Sequence, residues 1–246
     1  MGSQNRQPTK AKPPIADDVS QPPFETEDLR GGIQRLLDEK FTDSKTGSLR
    51  RIGSFQFGVY AFYDYDGEPI YVGQTRESLG TRVRRHLTNQ RTDAVAMSVL
   101  DPFEVCDVQL WPLPELDGLS EKDPKIQQRL DGLESTIYEA VLKESEFKAV
   151  LNEKIPIYHS PTEIPISFRG RIVSDEVMKV RGHPDIRLAR RAATISRLAQ
   201  IVSERKVAVG LRRVLVVQAE RLLALADRRF KHFAADPETD DEDDTL

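Results

Sequence analysis

Large apolar side chains fall into separate blocks along the chain, and their spacing changes from block to block. From Asp28, Leu29, Ile33, Leu36, Leu37 and Phe41 recur near helical spacing and predict a short helix, weakened at its start by Gly31-Gly32. Residues 57–72 hold two aromatic, β-branched runs on either side of Asp66-Gly67, a strong short-range hairpin signal. With Asp66 and Gly67 as a two-residue loop, Tyr60 faces Gly73 and Phe62 faces Tyr71, so Tyr60 and Tyr71 share one face as diagonal neighbours, roughly 7–8 Å apart. Val59, Ala61, Tyr63, Ile70 and Val72 then form the other face, which reads as the core side.

Ser78 is placed to cap a helix whose buried stripe is Leu79, Val83 and Leu87. Residues 88–99 read equally as helix or loop, and residues 103–111 alternate well enough for a third strand, ended by Pro112 and Pro114. A helix over 125–143 follows, with Leu130, Leu133, Ile137 and Val141 as its apolar stripe. From Pro156 prolines punctuate the chain, which reads as a loop or lone strand. Beyond Pro184, Leu188, Ala192, Ile195, Ala199 and Val202 step as a helical seam, and Leu211, Leu215, Gln218, Leu222 and Leu225 repeat it after Gly210. The predicted fold class is α+β: a small three-stranded antiparallel sheet flanked by helices, plus a C-terminal α-helical hairpin. The organisation is a disordered, proline-rich 1–28, a helix and linker over 29–52, a main domain over 53–168, a basic helical region over 169–233 and an acidic disordered tail over 234–246.

The formal net charge of −4 argues at first against nucleic acid, whose binding rests largely on neutralising phosphates. The distribution reverses that reading: residues 169–231 carry sixteen Lys/Arg against six Asp/Glu, while residues 236–246 carry seven acids and no base. A single cysteine, Cys106, excludes internal disulfides and reads as a buried core residue. No apolar run approaches the roughly 20 residues that span a bilayer, and the start has neither a secretory nor a convincing myristoylation pattern, so a cytoplasmic protein of a bacterial or archaeal cell is expected. Walker loops, dinucleotide fingerprints and H-E-x-x-H sites are missing from the sequence.

Two tyrosines on the second face of the hairpin, followed by a helix carrying Arg82, Arg85 and His86 at i, i+3 and i+4, need a reason beyond packing. Gly58-Val59-Tyr60, Tyr71-Val72-Gly73, the R-x-x-x-H pair Arg82 and His86, Glu134 in L-E-S-T-I-Y-E, and Asn152 in V-L-N-E-K come in the order found in the GIY-YIG nucleases, which this stretch resembles over about residues 57–155. Val replaces Ile in both tripeptides, Gln74 stands where repair members commonly carry Lys, and the gap from Glu134 to Asn152 is long.

The resemblance implies a DNA phosphodiester hydrolase dependent on Mg²⁺ or Mn²⁺. In it Tyr60 helps to deprotonate the attacking water, Tyr71 orients the water or a phosphate oxygen, Arg82 grips the scissile phosphate, His86 sits beside them, Glu134 holds the metal, and Asn152 positions phosphate or backbone. Arg84 and Arg85 are expected at neighbouring phosphates. In the basic region, Arg187, Arg190, Arg191, Arg197, Arg212 and Arg213 are candidate DNA contacts, or the solvated face of two amphipathic helices, and the same helices are candidates for a homodimer. The acidic tail is either a solubilising segment or an internal mimic of DNA. Restriction or defence is the first expected role. Repair or recombination on branched or damaged DNA, and a non-catalytic DNA-binding or assembly module, are the alternatives.

Overall fold

The computed structural model of the chain describes residues 24–88, 100–120 and 122–235. The expected disorder of the first 23 residues, the ambiguous stretch 89–99 and the acidic tail from residue 236 lie outside them. The described residues form an α+β fold with six α-helices and two small antiparallel sheets. The first helix, α1 (Phe24–Asp38), starts four residues before the predicted boundary and buries Leu29, Ile33, Leu36 and Leu37. Phe41 falls in a two-stranded ribbon instead, β1 (Lys40–Thr42) with β2 (Leu49–Arg51).

The main sheet has four strands rather than the expected three, in the order β4-β3-β5-β6. Strand β3 (Gly58–Tyr63) lies between β4 (Pro69–Thr75) and β5 (Asp107–Pro112). All six β3 residues are buried because both faces of the sheet are covered, which is why G-V-Y-A-F-Y reads as one apolar run. Helices α1 and α2 (Leu79–Leu87) pack on the Tyr60 and Phe62 side, and α3 (Pro124–Glu144) packs on Val59, Ala61 and Val72. The fourth strand, β6 (Phe168–Arg171), pairs with β5 from Asp107↔Arg171 to Leu110↔Phe168 and straddles the boundary drawn at residue 168. Its sequence F-R-G-R has no apolar alternation. The Arg169 guanidinium lies 3.7 Å from the Tyr63 ring centre and pairs with Asp107, the charged dress of a short edge strand.

The hairpin register agrees with the alternation, pairing Tyr60 with Gly73 and Phe62 with Tyr71. Its turn is longer than two residues: Asp64 N–H donates to the Glu68 carbonyl at 2.9 Å, leaving Tyr65, Asp66 and Gly67 as the loop, with Gly67 at φ +78°. A register shift between Phe62 and Tyr63, where Tyr63 pairs with Pro69, absorbs the extra residue and turns Ile70 onto the Tyr60 side.

The C-terminal region holds a short helix α4 (Asp175–Arg181), then α5 (Pro184–Glu204) and α6 (Val209–Ala234), which pack together as a hairpin. The predicted seam on α5 is displaced. Its buried positions are Arg187, Arg191, Thr194 and Leu198, while Ala192 and Ala199 are exposed. The cause is electrostatic. The hairpin loop and its flank carry Asp64, Asp66 and Glu68, and Arg187, Arg191 and Arg221 come down on them. Arg191 reaches the Asp64 carboxylate at 2.8 Å, Arg187 holds Asp66 through two nitrogens at 2.8 Å, and Arg221 donates to the Pro69 carbonyl at 2.8 Å. Glu104 completes the cluster, and burial among these groups pushes its carboxyl up to about 7. Three of the sixteen cations read from the sequence, Arg187, Arg191 and Arg221, are therefore turned inside the molecule, docking the helical pair onto the turn. No helix among the described residues is long and apolar enough to cross a membrane.

Candidate functional site

The two glycines of the tripeptides are fixed by close approach. A side chain at Gly58 would stand 2.7 Å from the Trp111 carbonyl oxygen, and one at Gly73 would stand 2.6 Å from the Tyr60 hydroxyl and 2.8 Å from the Tyr71 ring. Gly73 thus lets the Tyr60 phenol lie across its partner strand. Opposite it, Ser78 caps α2 by accepting the Thr81 N–H, and Leu79, Val83 and Leu87 bury the apolar stripe. That anchorage turns Arg82 and His86, one helical turn apart, toward the sheet.

The Tyr60 hydroxyl lies 2.9 Å from His86 Nε2 and accepts a hydrogen bond from Arg82 Nε at 3.2 Å. Tyr60, Phe62, Tyr71 and His86 pack ring against ring, with centroids 5.3–6.1 Å apart. Tyr60 and His86 are buried, Tyr71 and Arg82 half-buried. Nε of Arg82 is taken by Tyr60, the side chain lines a cleft, and Nη1 stands 3.7 Å from Glu77. Burial works against the Arg82 charge, yet Tyr60, Tyr71 and Glu134 together hold its pKa above the usual arginine value.

Glu134 projects from α3 on the far side of β4. Gln74 lies on that side too, its Nε2 donating to Glu134 at 3.0 Å and to Asp131 at 2.6 Å, while the Glu134 and Arg82 charges interact past the strand. Asp131 escaped the sequence reading, although D-G-L-E puts it one turn before Glu134 on the same helix face. Burial pushes the Glu134 carboxyl up to about 7, the Gln74 hydrogen bond opposes the shift, and the neighbouring Asp131 adds to it. A cleft of about 540 Å³ opens beside these groups, lined among others by Gln56, Gln74, Arg76, Glu77, Arg82 and Gln127.

The two carboxylates, Glu134 and Asp131, are oxygen donors of the type Mg²⁺ and Mn²⁺ accept, with water and substrate oxygens completing the shell, whereas Gln74 turns its NH₂ group toward them. No group of three or more His, Cys, Asp or Glu side chains able to hold a metal ion occurs among the described residues. The raised pKa has a stability consequence. A carboxyl with a folded pKa near 7 against an ordinary 4.5 favours the folded state below the lower value, and that contribution is lost as pH rises through the higher one. Glu134→Gln is therefore expected to raise the melting temperature by a few degrees at pH 8, equivalent to about 1–2 kcal/mol, and to change it little at pH 4, as thermal unfolding without metal will show.

Several expected site residues lie elsewhere. Asn152 is buried, and its carboxamide accepts from the Val72 N–H at 3.0 Å and donates to the Val72 carbonyl at 2.7 Å. It pairs with edge strand β4 between Tyr71 and Gly73 and so positions the tripeptide. Arg213 donates to the Asn152 carbonyl. Arg84 reaches Gln34 on α1, and Arg85 pairs with Glu77 at the cleft rim. Arg187 and Arg191 are buried against carboxylates and Arg190 donates to the Phe103 carbonyl, so the first two have no surface to offer DNA. Arg197 and Arg212 are exposed. No protein-family model matches the chain, and neither a curated protein nor a solved structure matches it.

Proposed function

We propose that the chain is a metal-dependent DNA endonuclease of the GIY-YIG kind, hydrolysing a phosphodiester at the cleft between α2 and α3. The observation that carries this reading is convergence. Tyr60, Tyr71, Arg82 and His86 from one face of the sheet, and Glu134 with Asp131 from the other, meet at β4 beside an open cleft. Packing alone does not require two carboxylates and a guanidinium around one edge strand, because buried charge is costly unless it is used or paired.

Arg82 presents its terminal nitrogens to the scissile phosphate while Tyr60 holds its inner one, making Tyr60 a positioning residue in this form. With Arg82 donating to the phenol oxygen, the phenol proton is free to point at His86 Nε2. The half-buried Tyr71 is then the hydroxyl closer to solvent. In the reaction the water oxygen bonds to phosphorus, the bond from phosphorus to one ester oxygen breaks, the water's proton passes to a basic group of the site, and the departing oxygen takes up a proton. Glu134, with Asp131 beside it, would hold a divalent cation, which when bound would supply charge neutralisation at the phosphate. Restriction or defence remains the first role proposed, with branched or damaged DNA as the alternative substrate.

Purified protein incubated with Mg²⁺ and linear, supercoiled and branched DNAs, followed by sequencing of the ends, separates these roles. Cleavage of plain duplex supports the first, and cleavage confined to branched DNA the second. DNA binding with every substrate left intact would replace both with a non-catalytic module.

A further inference from the structure

The outer face of α6 carries an apolar stripe that nothing in the described chain covers. Val209, Val216, Leu223 and Phe230 recur every seven residues and are 82%, 57%, 70% and 70% exposed. Arg212, Ala219, Ala226 and Phe233 interleave with them, so the row steps by three and four residues along the 26-residue helix, about 39 Å of axis. The opposite face, through Leu211, Val214, Val217, Arg221 and Leu225, is the one buried against the rest of the protein. Two faces of one helix are thus apolar, and only one is used among the described residues. The segment beyond the helix is a poor cover, since residues 236–246 contain seven acids and only Leu246 as a large apolar side chain.

We infer that this stripe is the interface of a homodimer in which α6 packs antiparallel on α6 of a second copy about a two-fold axis near residue 221. The order of side chains selects that arrangement. In an antiparallel pair each row position meets the interleaved row of the other helix. Val209 then faces Phe233, Val216 faces Ala226 and Leu223 faces Ala219, each layer occurring twice, so that in the two central pairs a large group sits on a small one and the helices approach closely there. Arg212 faces the Phe230 ring, where a guanidinium is favourably placed. A parallel pair would set Arg212 against its own copy and stack Ala219 on Ala219 and Ala226 on Ala226, combining like charge with two underfilled layers. Arg212 is thereby assigned to the dimer rather than to DNA.

Light scattering on the full chain tests the proposal, with Leu223→Glu as the disrupting variant. Leu223 is exposed, so the substitution leaves the fold intact, as circular dichroism will verify. The expected result is a wild-type mass of twice 27.9 kDa at micromolar concentration and a monomeric mass for the variant. Orientation is read by oxidative cross-linking, with buried Cys106 as the only native thiol. Val216→Cys combined with Ala226→Cys is expected to cross-link at least tenfold faster than Ala226→Cys alone, whose two copies would lie about 15 Å apart along the axis. A monomeric wild type, which leaves the stripe to a different protein, overturns the inference. So does a dimer indifferent to Leu223→Glu, or Ala226→Cys alone cross-linking as fast as the pair.

Discussion

Asp64→Ala is expected to destabilise the protein by about 3–5 kcal/mol, the largest loss for any single change to alanine in the hairpin turn. Asp64 is buried, accepts the backbone N–H groups of Asp66 and Glu68, and faces Arg187, Arg191 and Arg221. Its removal leaves three buried guanidiniums around a missing charge and frees the two turn N–H groups. Asp66, whose side chain is 37% exposed, is shared by buried Arg187 and the more exposed Arg228, so Asp66→Ala is expected to cost less, about 1–2 kcal/mol. Urea unfolding of both variants measures the contrast. Because the lost contacts join the turn to α5 and α6, hydrogen exchange in the Asp64 variant should rise first along those helices. Equal losses in the two variants would contradict this assignment of the network.

Arg82→Lys is expected to lower cleavage by about 100- to 1000-fold while leaving the fold intact. One nitrogen of the guanidinium is held by the Tyr60 hydroxyl, and the terminal pair, of which Nη1 has only a loose 3.7 Å contact with Glu77, is proposed to take a phosphate. A lysine ammonium is a single point and cannot hold the phenol and fork a phosphate together. Steady-state kinetics on a cleaved duplex, with melting curves as the control, decide the matter. A lysine variant within about threefold of wild type would remove Arg82 from the chemistry and leave it as a bridge between α2 and the sheet.

How much of this was legible in the sequence follows from which forces are local. The Tyr60–Gly73 register, the Ser78 cap and the apolar stripes of α2 and α3 rest on short-range spacing and are read directly from the residues. The fourth strand was not, because F-R-G-R is held by charge and by Arg169 over Tyr63 rather than by an apolar pattern. The seam of α5 was misplaced for a related reason. Arginine counts as a surface residue in any periodicity argument, and only the fold brings Asp64 and Glu104 to the positions that draw Arg187 and Arg191 inward. Asp131 was visible only as an acid one turn from Glu134, and its link to Gln74 spans two elements 57 residues apart. Asn152 was expected in a phosphate- or backbone-positioning role, yet its partner, the Val72 backbone on edge strand β4, exists only once the sheet is built.

The most direct test is a comparison of wild type with Glu134→Gln on the same DNA, with Mg²⁺ or with a chelator, following both binding and cleavage. The expected result is that wild type cuts only with the metal, and that the variant binds DNA as tightly but cuts at least about 1000-fold more slowly. Cleavage by the variant at the wild-type rate, or equal cleavage in the chelator, would contradict a metal-dependent hydrolase centred on Glu134.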